Sequence, residues 1–140
     1  MHSKKHDAAL LALRMAAGVI FIVHGYGKLF GNAPGMKMFT GMVAGLHFPA
    51  PALFAYLAAL SEFCGGIALV LGVFPQVASL FLAIVMLVAL IGVKKFSLPK
   101  ADPDVALLAM VSAIGLMGAG RYSLQAMLSK KMEAEPVRAE

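Results

Sequence analysis

Residues 63–93 read FCGGIALVLGVFPQVASLFLAIVMLVALIGV, and no charged residue occurs anywhere in the run. A helical membrane crossing takes about 20 predominantly apolar residues, so the run is too long for one ordinary helix. Pro75–Gln76 falls where a tight turn would have to divide it, because a proline cannot donate into a continuing helix ladder. The stretch therefore predicts a hairpin of two apolar helices and places the chain in a membrane.

Composition points the same way: 61% of residues are hydrophobic and 14% charged, and the mean hydropathy is +0.86, outside the usual soluble range. Working outward, a first apolar segment runs from about Ala8 to Phe30, with Arg14, His24 and Lys28 inside it. The second, from about Ala52 to Gly72, carries Glu62 near its middle, and the third follows Pro75. The fourth, Val105 to Gly120, is short and borrows its flanks to reach across. The expected fold class is all-α, an integral membrane four-helix transmembrane bundle. It forms a single domain over 1–140, with helices at about 8–30, 52–72, 76–93 and 104–121 and a cytoplasmic tail over 122–140. A chain of 140 residues leaves no room beside these spans for a second, water-soluble domain.

The long connection GNAPGMKMFTGMVAGLHFPAP, residues 31–51, is punctuated by Gly and Pro and predicts an irregular or partly re-entrant segment that would cover any site nearby. The basic N-terminus leads into an apolar run as a signal peptide does. Arg14 splits that run and no small-x-small pattern follows closely, so the expectation is an uncleaved first helix. With both termini cytoplasmic, the cations inside are Lys4, Lys5, Arg14, Arg121, Lys130, Lys131 and Arg138, against Lys28, Lys37, Lys94, Lys95 and Lys100 outside. The excess has the sign that the positive-inside rule requires, with the Lys94–Lys95 pair running against it.

On a helical wheel Lys28 lies about 40° and His24 about 80° from Arg14, with Gly18, Phe21 and Gly25 in the same sector. A lipid-facing cation costs several kcal/mol, so this face is expected to turn into the bundle. Glu62 is the obvious counter-charge. Counting about 1.5 Å per residue from the helix ends sets it between the depths of Arg14 and His24, within reach of either. Gly65, Gly66 and Gly72 near it allow close backbone approach. The candidate binding or ion-pair seam is thus Arg14, His24, Lys28 and Glu62, with Arg121 as an outer neighbour. Structural roles compete with functional ones at each position: Lys28 and Arg14 lie close enough to the boundaries to snorkel, a neutral His24 can bond a carbonyl, and Glu62 can be a purely structural partner.

Other chemistries find few ligands. The lone Cys64 forms neither an intramolecular disulfide nor a dithiol, and only His24 lies clearly within a span, which argues against bis-His haem. His2, His6 and His47 have no spaced companion, so no metal site and no covalently held cofactor is expected. A quinone remains compatible with the apolar interior. Aromatic and basic residues do not interleave, so the net charge of +5 suits anionic headgroups rather than nucleic acid. The ten Met residues read as packing between helices.

Three motifs carry a family resemblance: Arg14, Gly18, Phe21, His24–Gly25, Lys28 and Phe30–Gly31; Glu62, Gly65–Gly66, Leu69 and Gly72; and GAGRYSL at 118–124. On these the chain resembles the DoxX family of small bacterial membrane proteins over nearly all its length. The resemblance implies four transmembrane helices, both ends cytoplasmic, and a place in the bacterial cytoplasmic membrane. It also implies a link to thiosulfate:quinone or terminal quinol oxidase systems, related members being proposed to gather soluble redox enzymes at the membrane. The chain departs from the family pattern at Gln125, where an Asp often follows the last motif, and at Gly92–Lys95, where a His often follows the third helix. Both departures weigh against proton-linked or quinol chemistry performed by this chain.

Three functions fit. The leading expectation is a membrane subunit or anchor of a redox assembly, non-catalytic in itself, whose partner is a soluble or membrane redox protein. The second is an intramembrane site for a quinone or similar lipophilic compound, with His24 and Glu62 as hydrogen-bonding or proton-exchanging groups. It requires a pocket beside them. The third is a scaffold or assembly factor, alone or as a homo-oligomer, in which the seam only fixes helix register.

Overall fold

The computed structural model describes residues 2–32, 35–95, 97, 99 and 101–134. Lys100 and Arg138 from the charge count, Ala33–Pro34 of the first connection and the tail from 135 lie outside the described residues. Among the described residues the regular structure is entirely helical: α1 (His2–Phe30), α2 (Gly35–Gly45), α3 (Pro51–Leu71), α4 (Pro75–Val88) continued by a π-helical turn (Ala89–Val93), α5 (Asp102–Met117) and α6 (Leu124–Ala134). Three segments among the described residues are long and apolar enough to cross a membrane, Lys4–Phe30, Pro51–Leu71 and Pro75–Val93. At 16 residues, α5 is shorter than these and packs along α4 and α1.

The 63–93 run folds as its proline demands. α3 ends at Gly72, whose left-handed backbone (φ +69°) lets its N–H reach the Ala68 and Leu69 carbonyls, a conformation that costs glycine least. Three residues later α4 starts with Pro75 in its first turn, where the missing N–H is no loss. α3 and α5 likewise carry a proline in their first turn.

α1 and α3 pack through glycine. A Cβ on Gly18 would lie 2.8 Å from the Gly66 carbonyl oxygen, and one on Gly66 would lie 2.7 Å from that of Gly18. The two backbones therefore touch where larger side chains would hold them apart. The core of Leu10, Ala17, Phe21, Leu69, Leu82, Val111 and Ile114 spreads from this seam across α4 and α5. Outside it, Val19, Val23, Leu57, Leu71, Leu80 and Ile91 are exposed, and helices apolar on both faces are the mark of a membrane protein.

Two segments differ from the sequence reading. The first connection is mainly the regular helix α2, held by buried Val43 and packed on α3 and α1. Its glycines lower helix propensity, but tertiary contact decides. Much of the expected tail over 122–140, to which the sequence reading assigns no element, is the helix α6, started by Ser123. That side chain accepts from the Ala126 N–H at 3.1 Å and donates to the Gly120 carbonyl at 2.7 Å, an N-cap.

Candidate functional site

Glu62 is held by Lys28. The ammonium lies 2.7 and 2.6 Å from the two carboxylate oxygens, and the side chains are 25% and 3% exposed, respectively. Neither Arg14 nor His24 takes the place that the depth count gave them. The reason is register: the Gly18–Gly66 contact and the approach of Gly25 to Phe63 slide α1 about one and a half turns relative to a match of helix ends. Lys28 then reaches back toward Glu62, because side chains lean toward the N-terminal end of a helix. Its Nζ also sits 4.2 Å from the centroid of the Phe39 ring on α2, a cation–π contact. One ammonium thus joins α1, α3 and α2.

Beside this pair lies a cavity of about 810 Å³, bounded by the later part of α1, α2, the first half of α3, the end of α4 with its π-helical turn, and the start of α5. Phe21, Phe39, Phe48, Phe54 and Phe81 contribute to its walls, with Met38, Met42 and Met86. The polar lining comprises His24, Ser61, Lys28 with Glu62, and Lys94 with Asp104. The last two form a second ion pair at 2.7 Å. The Ser61 hydroxyl donates to the Leu57 carbonyl at 2.7 Å. His24 is exposed within the chain and opens onto the cavity. α2 closes one side, and Gly92 of the π-helical turn meets Leu46 just after it, so that a Cβ there would fall 2.8 Å from a Leu46 methyl.

Arg14 belongs to a different place. It is buried at 1% exposure and faces backbone: Nε donates to the Leu69 carbonyl at 2.9 Å, Nη2 to Val70 at 3.2 Å, and Nη1 to Tyr122 at 3.1 Å and to Ala119. The end of α3 exposes carbonyls with a partial negative charge, so the guanidinium is compensated by helix-end dipoles and needs no carboxylate. A Cβ on Gly72 would lie 2.7 Å from its Cζ. Arg121 is exposed, and its backbone N–H donates to Asp7 at 3.3 Å. The structure therefore brings Lys28, Glu62 and His24 to one cavity and leaves Arg14 and Arg121 outside it.

The sequence reading did not single out Phe39, Asp104 or Lys94 for the site. The signal for the ion pair was available: Lys94 and Asp104 flank the connection between two apolar segments, where opposite charges meet once the helices pack as neighbours. Gln125 also has a definite task. Its side-chain oxygen accepts from the Phe74 N–H at 3.2 Å, serving the start of α4 as a cap does. Among the described residues no group of three or more His, Cys, Asp or Glu is placed to hold a metal.

Comparison with known proteins bears on the same region. No solved structure matches the chain. A Bacillus subtilis (strain 168) protein named "Putative oxidoreductase CatD" is 30% identical over 92 residues, covering 66% of this chain and 64% of that protein. The match thus spans somewhat under two thirds of the relative's length. The DoxX family profile matches residues 9–95, which takes in most of α1 and the chain from there to the π-helical turn, and with them Lys28, Glu62, His24 and most of the cavity wall. The chain belongs to the DoxX family.

Proposed function

We propose that this DoxX protein holds an uncharged lipophilic small molecule, quinones included, in the cavity beside His24, within a four-helix bundle whose fourth crossing is α5. The observation that carries the reading is the cavity itself: about 810 Å³ with mainly apolar walls, the size and character of sites that enclose drug-sized ligands. Both lysines in its lining are already neutralised by carboxylates, so a ligand with no net charge disturbs neither pair. His24 supplies a ring able to donate to or accept from a ligand carbonyl or hydroxyl. The headgroup lies near Lys28 and Glu62, and the hydrophobic remainder lies among the phenylalanines and methionines. The bundle sits in the bacterial cytoplasmic membrane with both termini cytoplasmic, in keeping with the cation excess among the N-terminal and C-terminal segments.

The test uses the full chain in nanodiscs, titrated calorimetrically with decylubiquinone and with menadione. Saturable one-to-one binding of either is expected, strongly weakened by Ala58→Trp, which projects an indole into the cavity, and weakened about fivefold by His24→Leu through loss of one hydrogen bond. Absence of saturable binding for both compounds, or binding untouched by Ala58→Trp in a folded variant, overturns the proposal. A second reading, membrane subunit of a redox assembly, draws support from the name of the Bacillus relative. It predicts co-purification of a redox enzyme that survives Ala58→Trp.

A further inference from the structure

At the end of the molecule away from the cavity, α6 presents an apolar face that nothing among the described residues covers. Leu124, Met127, Leu128 and Met132 are 40%, 67%, 51% and 77% exposed. At 100° per residue they fall within an arc of about 140°. Gln125 lies at the edge of this arc, and Ser129 and Glu133 fall beyond it. The start of the helix is fixed: Ser123 caps it, and Gln125 bonds both ends of the α3–α4 turn, its N–H to the Gly72 carbonyl at 3.4 Å and its side-chain oxygen to the Phe74 N–H at 3.2 Å. That turn joins two of the candidate spans, so it lies at headgroup depth, and α6 leaves the bundle from the same depth.

We infer that α6 is an interfacial helix that docks on the anionic membrane surface, with its apolar face at the acyl boundary and Lys130 and Lys131 on lipid phosphates. Charge complementarity selects this occupant over a soluble partner. The N-terminal part of α1 lies at the same end, tied to the segment after α5 by Arg121 and Asp7. Among the described residues Lys4, Lys5, Arg121, Lys130 and Lys131 are all exposed there, against the carboxylates of Asp7 and Glu133. An exposed apolar stripe with Lys130 beside it and Lys131 within it suits a surface that is apolar below and anionic above. Lys131 falls inside the apolar arc, where its stem lies beside Met127 and Leu128 while the ammonium rises to the phosphates.

The chain contains no tryptophan, so Met127→Trp in the full protein installs a single reporter at an exposed site. Reconstituted in phosphatidylcholine vesicles with and without phosphatidylglycerol, this variant is expected to show blue-shifted emission and quenching by brominated acyl chains in the anionic vesicles. Lys130→Gln and Lys131→Gln are each expected to lower the docked-to-free ratio roughly fivefold, and added salt should act in the same direction. Quenching by aqueous iodide but not by bromolipid in both vesicle types overturns docking on the membrane. Equal bromolipid quenching in both vesicle types, unchanged in the lysine variants, overturns the recognition of anionic headgroups. Neither readout depends on a ligand in the cavity.

Discussion

Gly25 of α1 lies directly against the backbone of Phe63 in α3: a Cβ placed on Gly25 would fall 2.5 Å from the Phe63 amide nitrogen. The distance leaves no room for any side chain, and it sets the register by which Lys28 meets Glu62. Gly25→Leu is therefore expected to force the helices apart, lowering stability by about 3 kcal/mol or more. Gly27→Ala, on the same helix with open space around it, should be neutral or stabilising by up to about 1 kcal/mol. Thermal melts of the two variants in detergent check the contrast.

The ion pair is asymmetric, and its two halves should not behave alike. Lys28→Met strands a carboxylate that is 3% exposed and should cost about 3 kcal/mol. Glu62→Gln leaves an ammonium that is 25% exposed and able to turn toward headgroups, so its cost should be about 1 kcal/mol. The double variant Lys28→Met/Glu62→Gln leaves no unpaired charge and should recover much of the loss. An unfolding titration of the four proteins, read as a double-mutant cycle, measures the coupling directly.

For Arg14 the acceptors are carbonyls that fan around a planar guanidinium. Arg14→Lys retains the charge and loses the fork, so it should fail to rescue the protein, with destabilisation of about 2 kcal/mol or more. Because Arg14 does not line the cavity, decylubiquinone affinity in the folded fraction should not change. Calorimetry on Arg14→Lys below its melting temperature separates the two effects.

Phe39 ties α2 to the bundle through the Lys28 ammonium. Phe39→Leu removes the ring and keeps the apolar bulk, a loss of about 0.5–1 kcal/mol at a partly exposed cation–π contact. Amide exchange across α2 should then quicken by roughly two- to fivefold while exchange across α1 and α3 holds, as mass spectrometry of the exchanged protein would show.

Sequence and structure agree most closely where the argument depended on chain chemistry alone. The uncharged 63–93 run and Pro75 are enough to predict the hairpin, and Glu62 in an apolar segment is enough to demand a partner. Which cation answers that demand was not legible. A depth count from helix ends assumes that the ends align, whereas contacts at Gly18, Gly25 and Gly66 set the alignment instead. The partners of Arg14 were hidden for another reason. They are main-chain carbonyls, whose availability depends on where α3 stops and how residues 118–123 turn, and no residue type announces them. α2 was obscured by its three glycines, whose cost to a helix is offset by packing that appears only in three dimensions.

The grip of Arg14 also orders events in time. Two of its acceptors lie in residues 69–70 and two in residues 119–122, the latter more than a hundred positions after Arg14 itself. A ribosome finishes α1 long before it makes Ala119 and Tyr122. During that interval an arginine in an otherwise apolar segment has only part of its shell, and its burial remains costly. The first helix is thus the first made and among the last to be secured. Truncations ending before residue 119 should leave its N-terminal half open to protease, whereas chains extending past Tyr122 should close it.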